Sequence, residues 1–354
     1  MQLEERINAF IQLGRFLGQF SSENPERNIE IIHNDAFYDG MLQQLEVATH
    51  HNGWFTKDNL SFACESWSSA LSEASLQKWI SAYDFNVVAE KRVAIIMAGN
   101  VPLVGFHDFL SVLISGHKVV VKLSSNDKQL LPFLAKYLIA IAPSFEEKIL
   151  FTENRLQDFD AVIATGSNNT ARYFDHYFKK YPHIIRKNRN SIAVLTGNET
   201  KEEMEALAND IFRYFGLGCR NVSKLYLPPD FNKDLFFNGM FSWQRIINNN
   251  KYINNYDYNK AVYLMSNFNL LDNEFMLLKE DQGYSSPISV VFYEHYSSLD
   301  SIAQKLEAEA DADAIQCIVS AAGLKNEIPF GKAQSPDLWE YADNEDTIKF
   351  LLNL

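Results

Sequence analysis

The chain has 354 residues, of which 47% are hydrophobic, and a net charge of −13 at pH 7. This length allows two domains or one large α/β unit. The negative charge argues against broad binding to nucleic acid or acidic membranes, although a few local cations can still hold a small anion. No apolar run is long enough to span a membrane, and MQLEERINAF lacks a signal-peptide pattern. The three cysteines have neither disulfide nor zinc spacing, so we expect a reduced, cytoplasmic protein without a metal site.

The first part of the chain reads as helical and then changes to alternating strands and helices. Apolar residues recur at helical spacing in LEERINAFIQLGRFLGQF and in TKDNLSFACESWSSALSEASLQKWISAYDF. Buried strands are predicted in KRVAIIMAGN, HKVVVKLSSND and FDAVIATGS, and helices in FHDFLSVLISG, KQLLPFLAKYLIAIAP and NNTARYFDHYF. Strands that alternate with helices in this way indicate βαβ units and a parallel sheet.

The alternation restarts at about Ser191, with a strand, a helix and a strand in SIAVLTGNETKEEMEALANDIFRYFGLGCRNVSKLYLPPDF. IINNNKYINNYDYNK has weak structural signals, and we predict an ordered loop with aromatic anchors. Late strands are predicted in SPISVVFYE and AIQCIVSA, and the tail IPFGKAQSPDLWEYADNEDTIKFLLNL predicts a loop and a short helix. We therefore divide the chain into a helical region with a Rossmann-like cofactor-binding domain (1–190), a catalytic domain (191–325) and a tail that packs back on the domain interface (326–354).

Cys219 is the cysteine whose setting suits chemistry. It follows two glycines in FGLGCRNVSKLYLP, between a predicted helix and a predicted strand. A thiol at such a turn can attack a carbonyl while backbone N–H groups stabilise the oxyanion, and Arg220 can lower the thiol pKa. The motif alone leaves a core role open. Cys64 in a predicted helix and Cys317 in a predicted strand are interpreted as core residues.

The loops that follow the strands are the candidate binding loops, because ligands of parallel sheets bind at the carboxyl ends of the strands. Asn100 follows the first strand and can donate its amide to a bound carbonyl oxygen, or serve as an ordinary turn residue. Lys122 ends the second strand. It can contact a ribose or phosphate, or it can simply be the solvated end of the strand. Gly166 and Ser167 form a turn whose N–H groups suit a phosphate or nicotinamide. No complete Gly-x-Gly-x-x-Gly follows a predicted strand.

IIRKNRNS places three cations at the predicted domain junction. Arg186, Lys187 and Arg189 form either a solvated face or a contact for an anionic substrate. His50 and His51 are adjacent in the sequence and have no metal-ligand spacing to a cysteine or carboxylate. We interpret them as structural.

In chain order, these segments resemble the aldehyde dehydrogenase superfamily. GNVP is similar to its Trp-Asn-Phe-Pro motif with the oxyanion-hole asparagine, VVVKLSS to its Val-Val-Lys-Pro-Ser nucleotide strand, and ATGS to its Phe-Thr-Gly-Ser turn. GLGC is similar to its Gly-Gln-x-Cys nucleophile turn, and SPISVVFYE to its Gly-Pro-Val strand. HNGWFT, RKNRNSIAV, NNYDYNKAVYLM and GKAQSPDLWEYADNEDTIKFL more closely resemble the acyl-CoA reductases typified by the reductase of bacterial bioluminescence. The similarity runs from about residue 45 to the C-terminus.

The resemblance implies an α/β, aldehyde-dehydrogenase-like fold with two doubly wound domains and parallel-type sheets. It implies that acyl-CoA or another acyl thioester acylates Cys219, that the Asn100 amide and the Cys219 N–H hold the oxyanion, and that hydride from NADPH releases the aldehyde. It assigns cofactor binding to Lys122, Ser124, Ser125, Gly166 and Ser167, and substrate binding to Arg186, Arg189 and Arg220. A homo-oligomer and a partner enzyme that transfers the acyl group are compatible with it.

Three departures from the superfamily pattern refine this expectation. IIRKNRNSIAV has no counterpart of the glutamate in Glu-Leu-Gly-Gly that activates water, which favours CoA or another thiol over hydrolysis. GYSSP stands in place of Glu-Ile-Phe-Gly-Pro, whose glutamate holds the nicotinamide ribose. NAD-preferring members carry a glutamate three positions after the strand lysine, where this chain has Ser125; a serine and Lys122 favour a 2′-phosphate, unless Asp127 turns towards it.

Two other functions stay open at this point. A reductase of acyl phosphates would use the same cysteine and hydride chemistry. A catalytically silent binding protein on the same scaffold would need neither, and the presence of both Asn100 and Cys219 argues against it.

Overall fold

The protein forms two compact units in a computed structural model that describes residues 1–85, 89–310 and 314–354. The first unit comprises Met1–Asn188 and Asp337–Leu354, and the second comprises Arg189–Pro336. The segment predicted as a tail is therefore divided, with residues 326–336 in the second unit and residues 337–354 in the first. Assignment of cofactor binding to the first unit and of catalysis to the second stays a prediction.

The first unit contains the predicted alternation of strands and helices. Its helices before residue 189 are α1 (Leu3–Gly18), α2 (Asn34–His51), α3 (Lys57–Ala70), α4 (Glu73–Ile80), α5 (Phe106–Ile114), α6 (Leu130–Ile141) and α7 (Asn168–Phe178). Its strands are β1 (Arg92–Ile96), β2 (Lys118–Lys122), β3 (Ile149–Phe151), β4 (Ala161–Thr165) and β5 (His183–Arg186). The long helical segment predicted around Cys64 is two helices, because Ser72 caps the start of α4 with its hydroxyl.

The five strands form a parallel sheet in the order β3-β2-β1-β4-β5. Alternate residues of β1 face opposite sides of the sheet, as the strand period of two requires. Val93 and Ile95 join the large core that includes α1, α5 and α6. Ala94 lies on the other face with Phe178 of α7. The chain leaves β1 towards β2 on one side and returns to β4 on the other, so the sheet is doubly wound and the order reverses at β1.

The second unit continues the alternation. Its helices are α8 (Lys201–Phe212), α9 (Lys233–Met240), α10 (Asn250–Met265) and α11 (Leu299–Ala310). Its strands are β6 (Asn190–Val194), β7 (Val222–Leu227), β8 (Leu270–Asp272), β9 (Leu277–Glu280), β10 (Val290–His295), β11 (Ile315–Ser320) and β12 (Glu327–Ile328). They form one sheet in the order β12-β11-β6-β7-β10-β9-β8, and among the strand pairs that the structure describes only β8–β9 is antiparallel. The predicted α/β class with two parallel-type sheets is confirmed.

The loop predicted in IINNNKYINNYDYNK is wrong, because most of this segment belongs to α10. Asn249 caps the helix: its side-chain oxygen accepts from the N–H groups of Lys251 and Tyr252. Tyr252, Tyr256 and Asn259 supply the buried face at helical spacing. A helix is usually recognised in a sequence by aliphatic residues at helical spacing. Here tyrosine and asparagine occupy those positions, and asparagine is more typical of turns, so the sequence pattern did not indicate the helix.

The C-terminal segment completes the first unit. It ends in helix α12 (Thr347–Leu352). Within this unit, the Trp79 indole N–H donates to the Tyr341 hydroxyl at 2.7 Å, and the His117 Nε2 lies 2.9 Å from the Leu351 carbonyl oxygen. In the parts of the chain that the structure describes, no helix has both the length and the apolar character that crossing a bilayer requires.

Candidate active-site residues

Of the three cysteines, Cys219 alone is exposed. Cys64 on α3 is 1% exposed and Cys317 on β11 is 9% exposed. Burial raises the pKa of the Cys64 thiol to about 12 and that of Cys317 to about 11. Both therefore stay protonated at neutral pH and poorly nucleophilic, which agrees with their interpretation as core residues.

The backbone before Cys219 adopts a tight left-handed turn. Tyr214, Phe215 and Gly216 follow α8 in succession, with φ values of 55°, 59° and 75°. The left-handed region costs roughly 1–2 kcal/mol for each residue that is not glycine, so neighbouring contacts must hold the two aromatic residues there. Both of their side chains are buried, and the Phe215 ring contacts the Tyr252 ring with centroids 6.0 Å apart.

Asn221 ties this turn to the end of α8. Its side-chain amide donates to the carbonyl oxygens of Asp210, Ile211 and Arg213, at 3.0, 3.3 and 2.8 Å. The last carbonyls of a helix have no partner within the helix, and the Asn221 amide satisfies them. Its side-chain oxygen accepts from the Gly218 N–H at 2.8 Å, and its backbone N–H donates to the Gly218 carbonyl at 3.1 Å. Asn221 is 2% exposed, so water does not compete for these bonds.

Ser191, on β6, holds the carbonyl of the candidate nucleophile. Its hydroxyl donates to the Cys219 carbonyl oxygen at 3.0 Å and lies 2.9 Å from the Cys317 sulfur. Because Ser191 is fully buried in the sheet, this bond fixes the Cys219 backbone against a rigid element.

Asp210 joins the turn to the segment after β12. Its carboxylate accepts from the N–H groups of Gly331 and Ala333 at 2.6 and 3.0 Å. Burial raises the pKa of this carboxyl to about 7, and the two N–H donors limit the rise. The Arg220 side chain donates from Nε to the Ala333 carbonyl, which holds the residue after Cys219 to the same segment.

In the first unit, a buried asparagine and a half-buried aspartate hold the loop that carries Asn100. Asn100 is half-buried and follows β1. The Asn52 amide, 5% exposed, donates to the Gly99 carbonyl at 3.2 Å. The Asp127 carboxylate accepts from the N–H of Leu103 at 3.2 Å, and Leu103 has a left-handed φ of 57°. Burial raises the pKa of Asp127 to about 6, partly offset by backbone N–H donors. Asp127 therefore serves the Asn100 loop, and its carboxylate is directed to that loop.

The predicted cofactor residues Lys122, Ser124 and Ser125 lie at and after the end of β2, beside the loop that follows β1. Ile96 at the end of β1 pairs with Lys122 at the end of β2, so the loops after both strands meet there. Lys122 Nζ donates to the Asn154 carbonyl at 3.2 Å. A Cβ on Gly99 would lie 2.6 Å from the Ser124 side chain, so these loops approach as closely as a glycine allows. Ser125 is exposed beside them.

Gly166 and Ser167 follow β4, on the other side of β1. The Ser167 hydroxyl caps α7 by accepting from the Thr170 N–H at 3.3 Å, and a Cβ on Gly166 would lie 3.0 Å from the Thr170 side chain. The strand order reverses at β1, which is where open parallel sheets bind nucleotides. The α7 N-terminus adds N–H groups and the positive end of a helix dipole, which suit a phosphate.

The three predicted substrate arginines have different environments. Arg186 is 7% exposed; it pairs with Asp108 and donates to the Thr347 hydroxyl at 2.9 Å, all within the first unit. This geometry favours a role in joining β5, α5 and α12 and argues against a substrate contact. Arg189 and Arg220 are half-buried in the second unit, and their substrate role stays a prediction.

The structure adds supporting residues to the candidate site. Among the described residues, no group of three histidine, cysteine or carboxylate side chains is placed to hold a metal ion. Sequence reasoning missed Asn52, Ser191, Asp210 and Asn221. Asn52 lies in HNGWFT and Asn221 lies two residues after Cys219, but nothing in their spacing indicates the contacts they make.

Comparison with known proteins gives a family and a fold. The sequence profile of the acyl-CoA reductase (LuxC) family matches residues 21–233. A long-chain acyl-protein thioester reductase of Aliivibrio fischeri is 26% identical over 187 residues, which are 46% of this chain. The matched segment spans 37% of the length of that curated relative.

Solved aldehyde dehydrogenases share the fold. One from Physcomitrella patens, in complex with the reaction product succinate, has a TM-score of 0.68 at 12% identity, covering 100% of this chain and 84% of that one. An indole-3-acetaldehyde dehydrogenase of P. syringae, in complex with NAD⁺ and IAA, has a TM-score of 0.63 at 12% identity, covering 92% and 74%. The predicted aldehyde-dehydrogenase-like fold is confirmed.

Proposed function

The chain belongs to the acyl-CoA reductase (LuxC) family, and from this premise we propose that it reduces an acyl thioester to the aldehyde through a covalent intermediate on Cys219. The observation that carries the proposal is the setting of Cys219: it is the exposed cysteine, and it sits in a strained turn held from both sides by buried side chains. A core cysteine would need neither exposure nor a rigid turn.

Acylation is the first half of the reaction. The Cys219 thiolate attacks the thioester carbonyl of acyl-CoA, the acyl–sulfur bond to CoA breaks, and CoA leaves as its thiol with the proton that Cys219 gave up. We assign the Asn100 amide and the Cys219 N–H to the negative charge that develops on the carbonyl oxygen. The nucleophile divides one difficult step into two easier ones.

Reduction is the second half. A reduced nicotinamide dinucleotide, when bound, supplies the hydride that converts the Cys219 thioester to the aldehyde. We propose that Lys122, Ser124, Ser125, Gly166 and Ser167 hold it, because they end or follow strands β2 and β4 on either side of β1, where the strand order reverses. With one proton taken up, the products are the aldehyde, the oxidised cofactor and the free Cys219 thiol.

The segment before β6 supports reduction over hydrolysis. In IIRKNRNSIAV the side chains are basic, polar or apolar, and no carboxylate stands there to activate water. A thioester on Cys219 then persists until hydride or a thiol reaches it. We further propose that the enzyme is soluble and cytoplasmic. Its acyl group would come from CoA or from a partner enzyme, and it would act as a homo-oligomer or a monomer.

Mass spectrometry of the intact protein tests the proposal. Incubation with acyl-CoAs of increasing chain length, without cofactor, should add one acyl group, and peptide mapping should place it on Cys219. Subsequent NADPH should release the aldehyde and restore the original mass. Acylation from acyl phosphates but not from acyl-CoAs would identify an acyl-phosphate reductase, and no acylation from either donor would favour a silent binding protein.

Replacing Ser125 with glutamate should shift cofactor preference from NADPH towards NADH. Ser125 is exposed beside Lys122, and its hydroxyl can donate to a 2′-phosphate, whereas a carboxylate repels that phosphate and accepts from ribose hydroxyls. The Asp127 carboxylate is engaged by the Leu103 N–H, so it leaves the preference to Ser125. The measurement is kcat/KM for both cofactors in the parent and in Ser125→Glu.

The matched control is Ser125→Ala, which removes the hydroxyl without adding a charge. It should weaken NADPH binding modestly and leave NADH unaffected. A strong preference of the unsubstituted protein for NADH would contradict the proposal. It would mean that residues other than Ser125 recognise the 2′-hydroxyl of the ribose.

A further inference from the structure

Two properties of the Cys219 turn require an external support. Tyr214 and Phe215 have left-handed dihedrals just after α8, so the helix does not continue there, and the last carbonyls of a helix have no partner within it. The turn that follows carries an exposed side chain that must keep one orientation if it is to attack a carbonyl. Near-attack geometry is sensitive to position, and a displacement of about 1 Å can cost roughly 10²-fold in rate.

We propose that Asn221 is a positioning residue for Cys219, which rests on the proposed function. Its amide bonds to the carbonyls of Asp210, Ile211 and Arg213 at the helix end, and its side-chain oxygen bonds to the Gly218 N–H one residue before the nucleophile. A single buried side chain thus joins the end of α8 to the turn.

Asparagine is the residue type that this place requires. The amide NH₂ faces three carbonyl oxygens while the amide oxygen faces one N–H, so both ends of the group are used. An aspartate of the same shape keeps the acceptor for Gly218 but brings an oxygen against the carbonyls. An alanine leaves all of these backbone groups without their partner in a buried place, where unsatisfied polar groups are costly.

Asn221 acts on geometry and does not touch the acyl group. The Cys219 carbonyl has an independent bond to Ser191, so loss of Asn221 should loosen the turn without releasing it. The reaction of the thiol with a small alkylating agent tolerates such loosening, because the agent approaches from many directions. Acyl transfer does not, because the carbonyl must meet both the sulfur and the oxyanion donors.

The experiment measures these two reactions in the full-length protein. In Asn221→Ala, the rate of Cys219 acylation by a saturating acyl-CoA should fall by roughly 10- to 10²-fold. The Kd of the acyl-CoA should change by less than about twofold, because the Asn221 side chain is 2% exposed and bonds to backbone groups of the turn and helix end. Alkylation of Cys219 by iodoacetamide, followed by peptide mass spectrometry, should keep its rate and its pH midpoint within about threefold and about half a unit, because the thiol environment is retained.

The matched control is Asn34→Ala. Asn34 is also a buried asparagine, 3% exposed, whose amide donates to the Gln19 side chain and to the Asn28 carbonyl in the first unit. Its loss should lower thermal stability to a comparable extent and leave acylation at the parent rate. Equal losses of acylation in both variants would show a general effect of instability and overturn the proposal.

Two further measurements separate the remaining outcomes. Asn221→Asp keeps the acceptor for Gly218 but places a carboxylate oxygen against the three carbonyl oxygens, so it should acylate no faster than Asn221→Ala. Parent-like acylation in Asn221→Ala, or a failure of both Asn221 variants to fold by circular dichroism, would assign the residue to stability alone. Acylation that persists in Cys219→Ala would instead refute the proposed function and leave Asn221 without a reaction to position.

Discussion

Cys219→Ala should form no acyl-enzyme and should show no reduction of acyl-CoA above the background rate. Only the thiolate of this exposed cysteine can take the acyl group in the proposed reaction, because Cys64 and Cys317 are buried and protonated. The substitution removes one exposed sulfur atom and leaves the Asn221 and Ser191 contacts to the turn backbone in place. The fold should therefore be retained, with a melting temperature close to that of the parent.

The measurement is intact mass after incubation with acyl-CoA, together with NADPH consumption at the same enzyme concentration. Cys64→Ala is the control, since it removes a cysteine from α3 and should acylate at the parent rate. Near-normal turnover in Cys219→Ala would refute a covalent mechanism through Cys219. A loss in Cys64→Ala equal to that in Cys219→Ala would show sensitivity to cysteine loss in general and leave the nucleophile unassigned.

The fold could be predicted from the sequence where its elements have a regular apolar pattern. The buried strands β1, β2 and β4 are short β-branched or alanine-rich runs between turns, and their alternation with helices fixed the parallel sheets. α10 could not be predicted, because tyrosine and asparagine take the places of aliphatic residues on its buried face. β8 also escaped prediction, since it is a three-residue antiparallel addition at the sheet edge.

The candidate site divides in the same way. Cys219 could be singled out because glycines mark its turn, and the residues after β1, β2 and β4 could be singled out because strand ends converge in a parallel sheet. The residues that support them could not. The Asn221 amide meets backbone carbonyls eight to eleven residues earlier, and the Asn52 amide meets one 47 residues later. Every residue has a backbone carbonyl, so a contact to one requires no particular residue type at the partner position and leaves no pattern in the sequence.

The cluster in IIRKNRNS shows a limit of reading charge along the chain. Three cations in four positions left open a solvated face or a contact for an anionic substrate, and the structure gives these residues different surroundings. Arg186 is buried at the end of β5 against Asp108, whereas Lys187 is exposed. The number of charges in a segment does not tell a buried ion pair from a ligand contact. For Arg186 the answer depends on Asp108, whose carboxylate is 78 residues away in the chain.

The same principle of support applies to both candidate catalytic loops. A buried asparagine and a buried aspartate hold the Cys219 turn, and Asn52 with Asp127 holds the loop of Asn100 in the first unit. In each case the asparagine binds the loop backbone directly. This arrangement supports function at Asn100, because an ordinary turn does not need a buried asparagine, a half-buried aspartate and a left-handed leucine to fix its path.

Asn100→Ala should slow acylation of Cys219 by roughly 10²–10³-fold, the usual effect of losing one oxyanion donor. That loss corresponds to roughly 3–4 kcal/mol of transition-state stabilisation. The Kd of the acyl-CoA should change much less, because the amide is assigned to the charge that develops during attack and not to the ground-state thioester. The effect should therefore fall on the rate at saturation, measured by single-turnover mass spectrometry without cofactor.

Two controls decide whether this effect comes from the amide. Asn126→Ala removes an exposed amide near Gly99 without changing the Asn52 contact, which uses the Asn126 backbone carbonyl. It should acylate at the parent rate. Asn100→Asp keeps the size of the side chain but replaces a donor with a negative charge beside the developing oxyanion, so it should be slower than Asn100→Ala. Unaltered acylation in Asn100→Ala would assign Asn100 to the turn alone, and a carboxylate that matched or exceeded alanine in rate would rule out charge stabilisation by this side chain.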